Sequence, residues 1–250
     1  MAGEGGGEDK AIRLGHPSYV WGFGQERRLE LIRRYAPPAV AGQAVVDVGC
    51  GLGIYVRALG RLSPAVYGVD LDAEKVVAAG RELPNLCVAP AGRLPFAAKS
   101  FGLVLSHEVI EHVDDDRRAL ADAVRVLRPG GRLVIFCPNR LYPFETHGAF
   151  WGGRYHFGNI PLVGWLPDRW RRRLAPHVRA YTRGDLRRLL AGLPVRVVVH
   201  TQIYPGYDKI VRRHAMLGSL FRAVTYFLEH TPLRAFGLSH LVVVEKTTAA

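Results

Sequence analysis

Residues 45–53 read Val45-Val46-Asp47-Val48-Gly49-Cys50-Gly51-Leu52-Gly53. A short apolar run ends in a loop with glycine at every second position, and a helical pattern follows from about Ile54 to Leu62. Glycine is needed where a chain turns with positive φ or where backbone must lie against a ligand. The dinucleotide-binding fingerprint would place its third glycine at position 54, which is Ile54 here, so the spacing is G-x-G-x-G instead. Asp47 stands two residues before the first glycine. A carboxylate there repels a pyrophosphate and suits a cationic ligand. Asp70 closes the next apolar run, VYGVD (66–70), where a ribose-binding carboxylate belongs. A tight turn that caps a helix is the plainer reading of the same loop.

Strands and helices alternate outward from this loop. QERRLELIRRY (25–35) has helical spacing and Pro37-Pro38 ends it. Asp72 is placed to cap the helix AEKVVAAGREL, a short strand is expected near 86–88, and FGLVLS (101–106) is another strand. DDDRRALADAVRVL (114–127) reads as a helix with aspartates at its positive end and arginines at its negative end. RPGG turns the chain into the strand RLVIFCP (132–138). Most of these strands lack period-two alternation, which indicates a parallel sheet covered on both faces, an α/β fold. After Pro138 the pattern breaks down into a long irregular insertion with short helices. A capped helix then starts at Thr182 with Asp185 in a capping-box position, VRVVVHTQI (195–203) is a strand, residues 208–230 form one long amphipathic helix, and HLVVVEK (240–246) is a final strand.

The 250 residues carry 34 Lys+Arg against 22 Asp+Glu, and the excess is confined to one half. Residues 1–125 hold 15 basic and 16 acidic side chains, whereas residues 126–250 hold 19 and 6. Arginine dominates, with 29 of the 34. An anionic partner for the second half and a merely solvated basic face are equally compatible with this. Cys50, Cys87 and Cys137 are too dispersed for a disulfide framework and read as small apolar residues, and no metal centre is expected. MAGEGGGEDK lacks the basic start and apolar stretch of a signal peptide; disorder is expected over 1–15, and no apolar run is long enough for a membrane span. A cytoplasmic protein, touching membranes at most peripherally, is the expectation, with 16–250 forming a single domain.

The segments VVDVGCGLG, VYGVDLD, RLPFAAKSFGLVLSHEVIEHV and VLRPGGRLVI, in that order, resemble the class I S-adenosylmethionine-dependent methyltransferases, in particular the methyltransferase type 11 subgroup that includes quinone C-methyltransferases. The resemblance covers residues 44–139. It implies a Rossmann-like seven-stranded sheet, mostly parallel with the last strand antiparallel, and a lid after the fifth strand. It implies S-adenosyl-L-methionine as cofactor and S-adenosyl-L-homocysteine as product. By position, Gly49, Gly51 and Gly53, with Asp47 and Cys50, would line the methionine moiety, Asp70 would take the ribose hydroxyls, and Leu71 would lie beside the adenine. Ser106 and His107 would line the site below the sulfur. One departure is Pro90, where the family often has an adenine-binding aspartate; Gly92 or Arg93 would then supply a backbone contact, or packing would hold the ring.

Methyl transfer needs an aligned nucleophile and a dry site, and a general base only for a hydroxyl or an acidic carbon. His107, Glu145 and His147 are the candidate catalytic residues, and Glu108 and His112 lie close by in sequence. His112 reads more simply as a packing residue of a helix. Asn139, Arg140, Tyr142, Glu145 and His147, in PNRLYPFETHG (138–148), are the candidate acceptor contacts, although a polar loop tying itself down is an equal reading. The lid at about 139–181 and a helical insertion at about 207–232 are aromatic and basic. They suit a small-molecule or lipid-like acceptor with an acidic group, and a basic amphipathic helix at a membrane interface, beside the plainer reading of a helix that covers the sheet. SHEV after the fourth strand argues against base N-methylation, and Cys137-Pro138 reverses the order used by RNA cytosine C5 enzymes. Two alternatives stand beside the small-molecule reading: an RNA-directed methyltransferase that uses the basic half, and a non-catalytic S-adenosylmethionine-binding protein.

Overall fold

The computed structural model describes residues 21–36 and 42–248. The expected disorder over 1–15 and the Pro37-Pro38 stop lie outside the described residues. A seven-stranded sheet forms the centre. Its strands are β1 (Val45–Val48), β2 (Val66–Asp70), β3 (Leu86–Val88), β4 (Phe101–His107), β5 (Leu127–Pro138), β10 (Val195–Ile203) and β11 (Ser239–Lys246). Their order across the sheet is β10-β11-β5-β4-β1-β2-β3. β1 to β5 are parallel, while β11 runs antiparallel to both β5 and β10. The order reverses at β1, and in an open α/β sheet ligands bind where such a reversal leaves a crevice beyond the carboxyl ends of the strands.

The connecting helices are α1 (Phe23–Tyr35), α2 (Ile54–Leu59), α3 (Ala73–Gly80), α4 (Asp116–Val126) and α6 (Arg183–Leu190). Two buried clusters cover the two faces of the sheet. One joins Val46, Val104, Leu120, Leu133 and Leu186; the other joins Ile32, Leu59, Leu103, Leu105 and Phe136. Helix ends carry the caps that the sequence foretells. The Asp72 carboxylate accepts from Glu74 N at 3.1 Å, and Thr182 and Asp185 close a reciprocal capping box. RPGG is a bulge within β5 rather than a separate turn. Phe101 pairs with Leu127 and Leu103 with Arg132, so the four residues between them loop out opposite Gly102.

The insertion after β5 is more ordered than its composition suggests. β6 (Phe144–Glu145) pairs with β9 (Ile160–Pro161), and β7 (Ala149–Trp151) with β8 (Arg154–His156); α5 (Asp168–Leu174) follows. The long helix expected over 208–230 is two helices, α7 (Asp208–Arg213) and α8 (Ala215–Leu228), broken at His214, whose ψ of 82° is not helical. Gly218 explains the break. A Cβ there would lie 2.6 Å from the Val211 side chain, so the glycine lets α8 fold back closely over α7. Asp208 fixes this hairpin to the start of the chain, accepting from Phe23 N at 2.8 Å and Gly24 N at 3.1 Å at the N-terminus of α1. No described helix is long and apolar enough to cross a membrane.

Candidate active site

The glycine loop leaves β1 and bends under the end of β2. Gly49 N and Cys50 N both donate to Val69 O, at 2.7 and 3.0 Å. The Asp70 carboxylate accepts from Gly51 N at 2.7 Å and from Asp72 N at 2.8 Å. Gly51 has φ +52°, and a Cβ added there would meet nothing within 4 Å, so the loop is open on that side. Gly49 is confined instead, because a Cβ would lie 2.3 Å from the Val109 side chain. A cleft of about 610 Å³ opens here, lined by Gly49, Asp70, Leu71, Pro90, Gly92 and Arg93 on the β1–β3 side. Leu71 is more than half exposed, an apolar surface available to a flat ring. Pro90 O is already used by Arg93 N at 3.0 Å, so the proline carbonyl closes a turn instead of facing a ligand.

Asp47 is 2% exposed in β1. Burial, and then the charge of Asp70, push its carboxyl well above the usual carboxylate range. A cationic group near the two carboxylates would relieve that strain. The open face at Gly51, the Asp70 rim, the exposed Leu71 and the buried Asp47 together fit S-adenosylmethionine, with its cationic methionine portion, ribose and adenine. Burial and these same carboxylates also raise the Cys50 thiol, which leaves it an unreactive packing residue.

β4 flanks β1 on the side opposite β2, and the turn after it contributes Glu108, Glu111 and His112 to the other wall, which His177 of the lid completes. Glu108 has φ +54°, unusual for a residue with a side chain and typical of strain held at functional sites. Its carboxylate accepts from Ser239 Oγ at 3.0 Å and lies 3.9 Å from Arg28. Ser106 is buried within β4 and does not line the cleft. His107 does not line it either. Its ring packs between Tyr55 and Phe136, at 4.8 and 5.4 Å between centroids. Burial, then the Arg28 charge, lower its imidazole to about 3. So weak a base in an apolar sandwich is poorly suited to general-base work, which counts against the catalytic role expected from its position at the strand end.

The lid residues divide. Asn139 is buried and spent on the fold: Nδ2 donates to Ala235 O and Gly237 O at 2.8 and 2.7 Å, and Oδ1 accepts from Leu141 N. Arg140 donates to Gly164 O and Leu166 O and pairs with Asp168 at 2.5 Å. The Tyr142 ring packs on Phe144, and burial raises its phenol to about 12. For Asn139 and Arg140, then, the loop ties itself down. Glu145 is also buried, accepting from Arg171 Nη2 at 2.9 Å and lying 3.1 Å from His147 Nδ1. It orients His147 and is screened from solvent. His147 comes close to His112, with ring centroids 5.4 Å apart. His112 lies in the turn after β4, not on a helix. Glu111, Arg171 and His177 are site residues that sequence reasoning missed. Only Glu111 carried a signal, its place in EVIEHV.

Residues 46–135 match a family described as "Methyltransferase domain". A probable S-adenosylmethionine-dependent methyltransferase of Mycolicibacterium smegmatis is 30% identical over 117 residues, 46% of each chain. A ubiquinone biosynthesis O-methyltransferase of Albidiferax ferrireducens is 35% identical over 142 residues, 54% of this chain and 55% of that one. A demethylmenaquinone methyltransferase of Tropheryma whipplei is 37% identical over 99 residues, 38% of this chain and 41% of that one. The chain spans about half the length of the curated relatives it matches. Among solved structures, an S-adenosylmethionine-dependent methyltransferase of Mesorhizobium loti superimposes with TM-score 0.61 at 19% identity, over 90% of this chain and 98% of that one. A geranyl diphosphate methyltransferase does so with TM-score 0.58 at 18% identity, over 88% and 78%. These two likenesses carry the fold.

Proposed function

We propose that the chain, whose residues 46–135 match the methyltransferase domain family, transfers the methyl group of S-adenosylmethionine to a small-molecule or lipid-like acceptor held in the cleft between the glycine loop and the lid. The observation that carries the reading is the Asp70 carboxylate, fixed by Gly51 N and Asp72 N at the mouth of that cleft. Two charge-assisted hydrogen bonds hold it, and its remaining lone pairs are available to ribose hydroxyls. The bound cofactor supplies an activated methyl on a cationic sulfur. The chain supplies the rest: Asp47 and Asp70 favour the cation, the glycine loop admits it closely, Leu71 packs its flat end, and the lid excludes water.

Residues 16–250 act in this reading as a single unit, with 139–181 as the acceptor lid and 207–232 as a helical attachment. The names of the quinone-modifying relatives are consistent with a hydrophobic acceptor. α8 extends that argument. Met216, Leu217, Leu220, Phe221, Val224 and Phe227 repeat at helical spacing and are all exposed, and Lys209, Arg212 and Arg213 are exposed beside them on α7. An apolar stripe next to basic side chains fits the headgroup region of an anionic bilayer, from which a lipid-like acceptor would be drawn. The test is calorimetry with S-adenosylhomocysteine, followed by labelled-methyl transfer to lipid, small-molecule and RNA fractions of a cell extract. Binding with label in lipids or small molecules is expected. Absence of binding defeats the reading, and label in RNA alone moves it to the RNA-directed alternative.

A further inference from the structure

We propose that Glu111, His112 and His147 bind a divalent first-row transition-metal ion in the wall of the cleft and that, on the methyl-transfer reading above, the ion holds an oxygen of the acceptor. One ligand atom from each of the three lies within 4.8 Å of the others. These residues come from different elements, the turn after β4 and the lid, and only the fold brings them together.

Unsatisfied acceptors mark the place. Glu111 is 1% exposed, and its carboxyl has no amide, guanidinium or hydroxyl donor, its polar neighbour being the Glu108 carboxyl; His112 Nδ1 is buried without a hydrogen-bond partner. A buried carboxylate without a donor or counter-charge is expensive, and such groups are paired or ligate metal. A single cation can take one ligand atom from each of the three residues.

His147 is prepared for the same role. Its Nδ1 lies 3.1 Å from Glu145 Oε1, and Glu145 Oε2 accepts from the buried Arg171 at 2.9 Å, whose Nη1 in turn donates to Val178 O at 3.1 Å. The Glu145 carboxylate is therefore fixed, the proton of His147 belongs on Nδ1, and the Nε2 lone pair is the one available. A carboxylate behind the far nitrogen of an imidazole is the arrangement that orients metal-binding histidines and makes them more basic. The backbone is held as well: His147 O accepts from Tyr155 OH at 2.6 Å and from His177 Nε2 at 3.0 Å.

Two imidazoles and one carboxylate favour manganese, iron, cobalt or zinc over calcium or magnesium. Three protein ligands leave coordination positions for water or an exogenous oxygen. Glu111 and His112 line the same cleft as Gly49 and Asp70, so those positions face the acceptor space. The acceptor class this implies bears a hydroxyl or enol oxygen, which the ion would position.

Metal-stripped full-length protein should bind one Mn²⁺ or Zn²⁺ per chain in equilibrium dialysis. Glu111→Gln and His112→Ala should abolish binding, while Glu145→Gln should weaken it roughly 10- to 100-fold and Glu145→Asp recover part of the loss. Unchanged circular dichroism and melting temperature on the same samples show that the variants are folded, and S-adenosylhomocysteine calorimetry of the wild type, with and without the ion, tests the cofactor site separately. No binding of either ion by wild type, or wild-type affinity in both Glu111→Gln and His112→Ala, overturns the site. With Co²⁺ bound, catechol should shift the visible absorption bands; unchanged bands overturn the acceptor-oxygen half while leaving the metal site in place.

Discussion

The Asp70 carboxylate crosses from the end of β2 to the glycine loop and accepts the Gly51 amide at 2.7 Å, which joins the cofactor's expected ribose contact to the loop expected to hold its methionine end. Replacing it acts on both. Asp70→Ala should weaken S-adenosylhomocysteine roughly 10- to 100-fold, from the loss of a charge-assisted bond of about 1.5–3 kcal/mol. Asp70→Asn should fall between, since the amide keeps one acceptor oxygen. Calorimetry measures both, and equal affinity in all three proteins would show that Asp70 holds only the loop.

The Glu145–Arg171 pair should behave as a buried ion pair, costly to break from one side. Arg171→Met strands the Glu145 carboxylate and should destabilise the lid by about 3–5 kcal/mol. Combining Arg171→Met with Glu145→Gln, which removes the stranded charge, should recover most of that. Hydrogen exchange over residues 144–178 is the readout, and unchanged protection in Arg171→Met would contradict the assignment.

Acid should destabilise the fold well above the pH at which carboxylates protonate. His240 Nε2 donates to Tyr181 O at 2.9 Å, leaving Nδ1 to accept from His200 Nε2 or Gln202 Nε2 at 3.2 and 3.3 Å. Burial lowers His240 to about 4 and His200 to about 3, the neighbouring histidine adding to the effect at His200. Their ordinary value is near 6.5. The unfolded chain therefore binds protons that the folded one refuses between pH about 6.5 and 4, and stability present above 6.5 is lost as the pH falls through that window. Urea midpoints from pH 8 to 4 should show this fall, and His240→Gln should flatten it. Because the raised Asp47 and Glu111 carboxyls act in the opposite sense over the same window, the comparison with His240→Gln decides: a fall as steep in that variant as in the wild type would rule out a neutral buried His240.

Helix α8 should confer vesicle binding without touching the cofactor. Wild type should co-sediment with phosphatidylglycerol vesicles in low salt. Leu220→Ser with Phe227→Ser should remove the interaction, and Arg212→Glu with Arg213→Glu should weaken it by about 1 kcal/mol for each basic residue lost. Equal sedimentation of all variants would exclude α8 as the contact.

The glycine loop and the place of Asp70 beside it were legible because their signals are local. The glycines turn the chain within nine residues, Asp70 ends its own strand, and Thr182 and Asp185 meet three residues apart. The acceptor side was not, because its contacts are distant. His112 meets His147 across 35 positions, and Asn139 is satisfied by carbonyls of residues 235 and 237. His107 could have been judged from strand parity, since Leu103, Leu105 and His107 share the face of β4 that carries Phe136 and Tyr55. The long helix over 208–230 failed on one glycine, whose close approach to Val211 has no periodic signature. The arginine excess misled in part. Arg140, Arg171 and Arg179 spend their guanidinium groups on backbone carbonyls of the fold, so less of that charge is available for a partner than composition suggests.

The position of β11 also sets a timetable for synthesis. This strand is the last of the seven in the chain yet lies inside the sheet, between β5 and β10. Until residue 246 has left the ribosome, β5 has an open edge and β10 has no neighbour at all. An emerging chain thus carries unpaired strand edges until β11 has been made, the state in which such strands recruit one another. Ribosome-bound chains stopped before residue 239 are the ones that chaperones should hold longest.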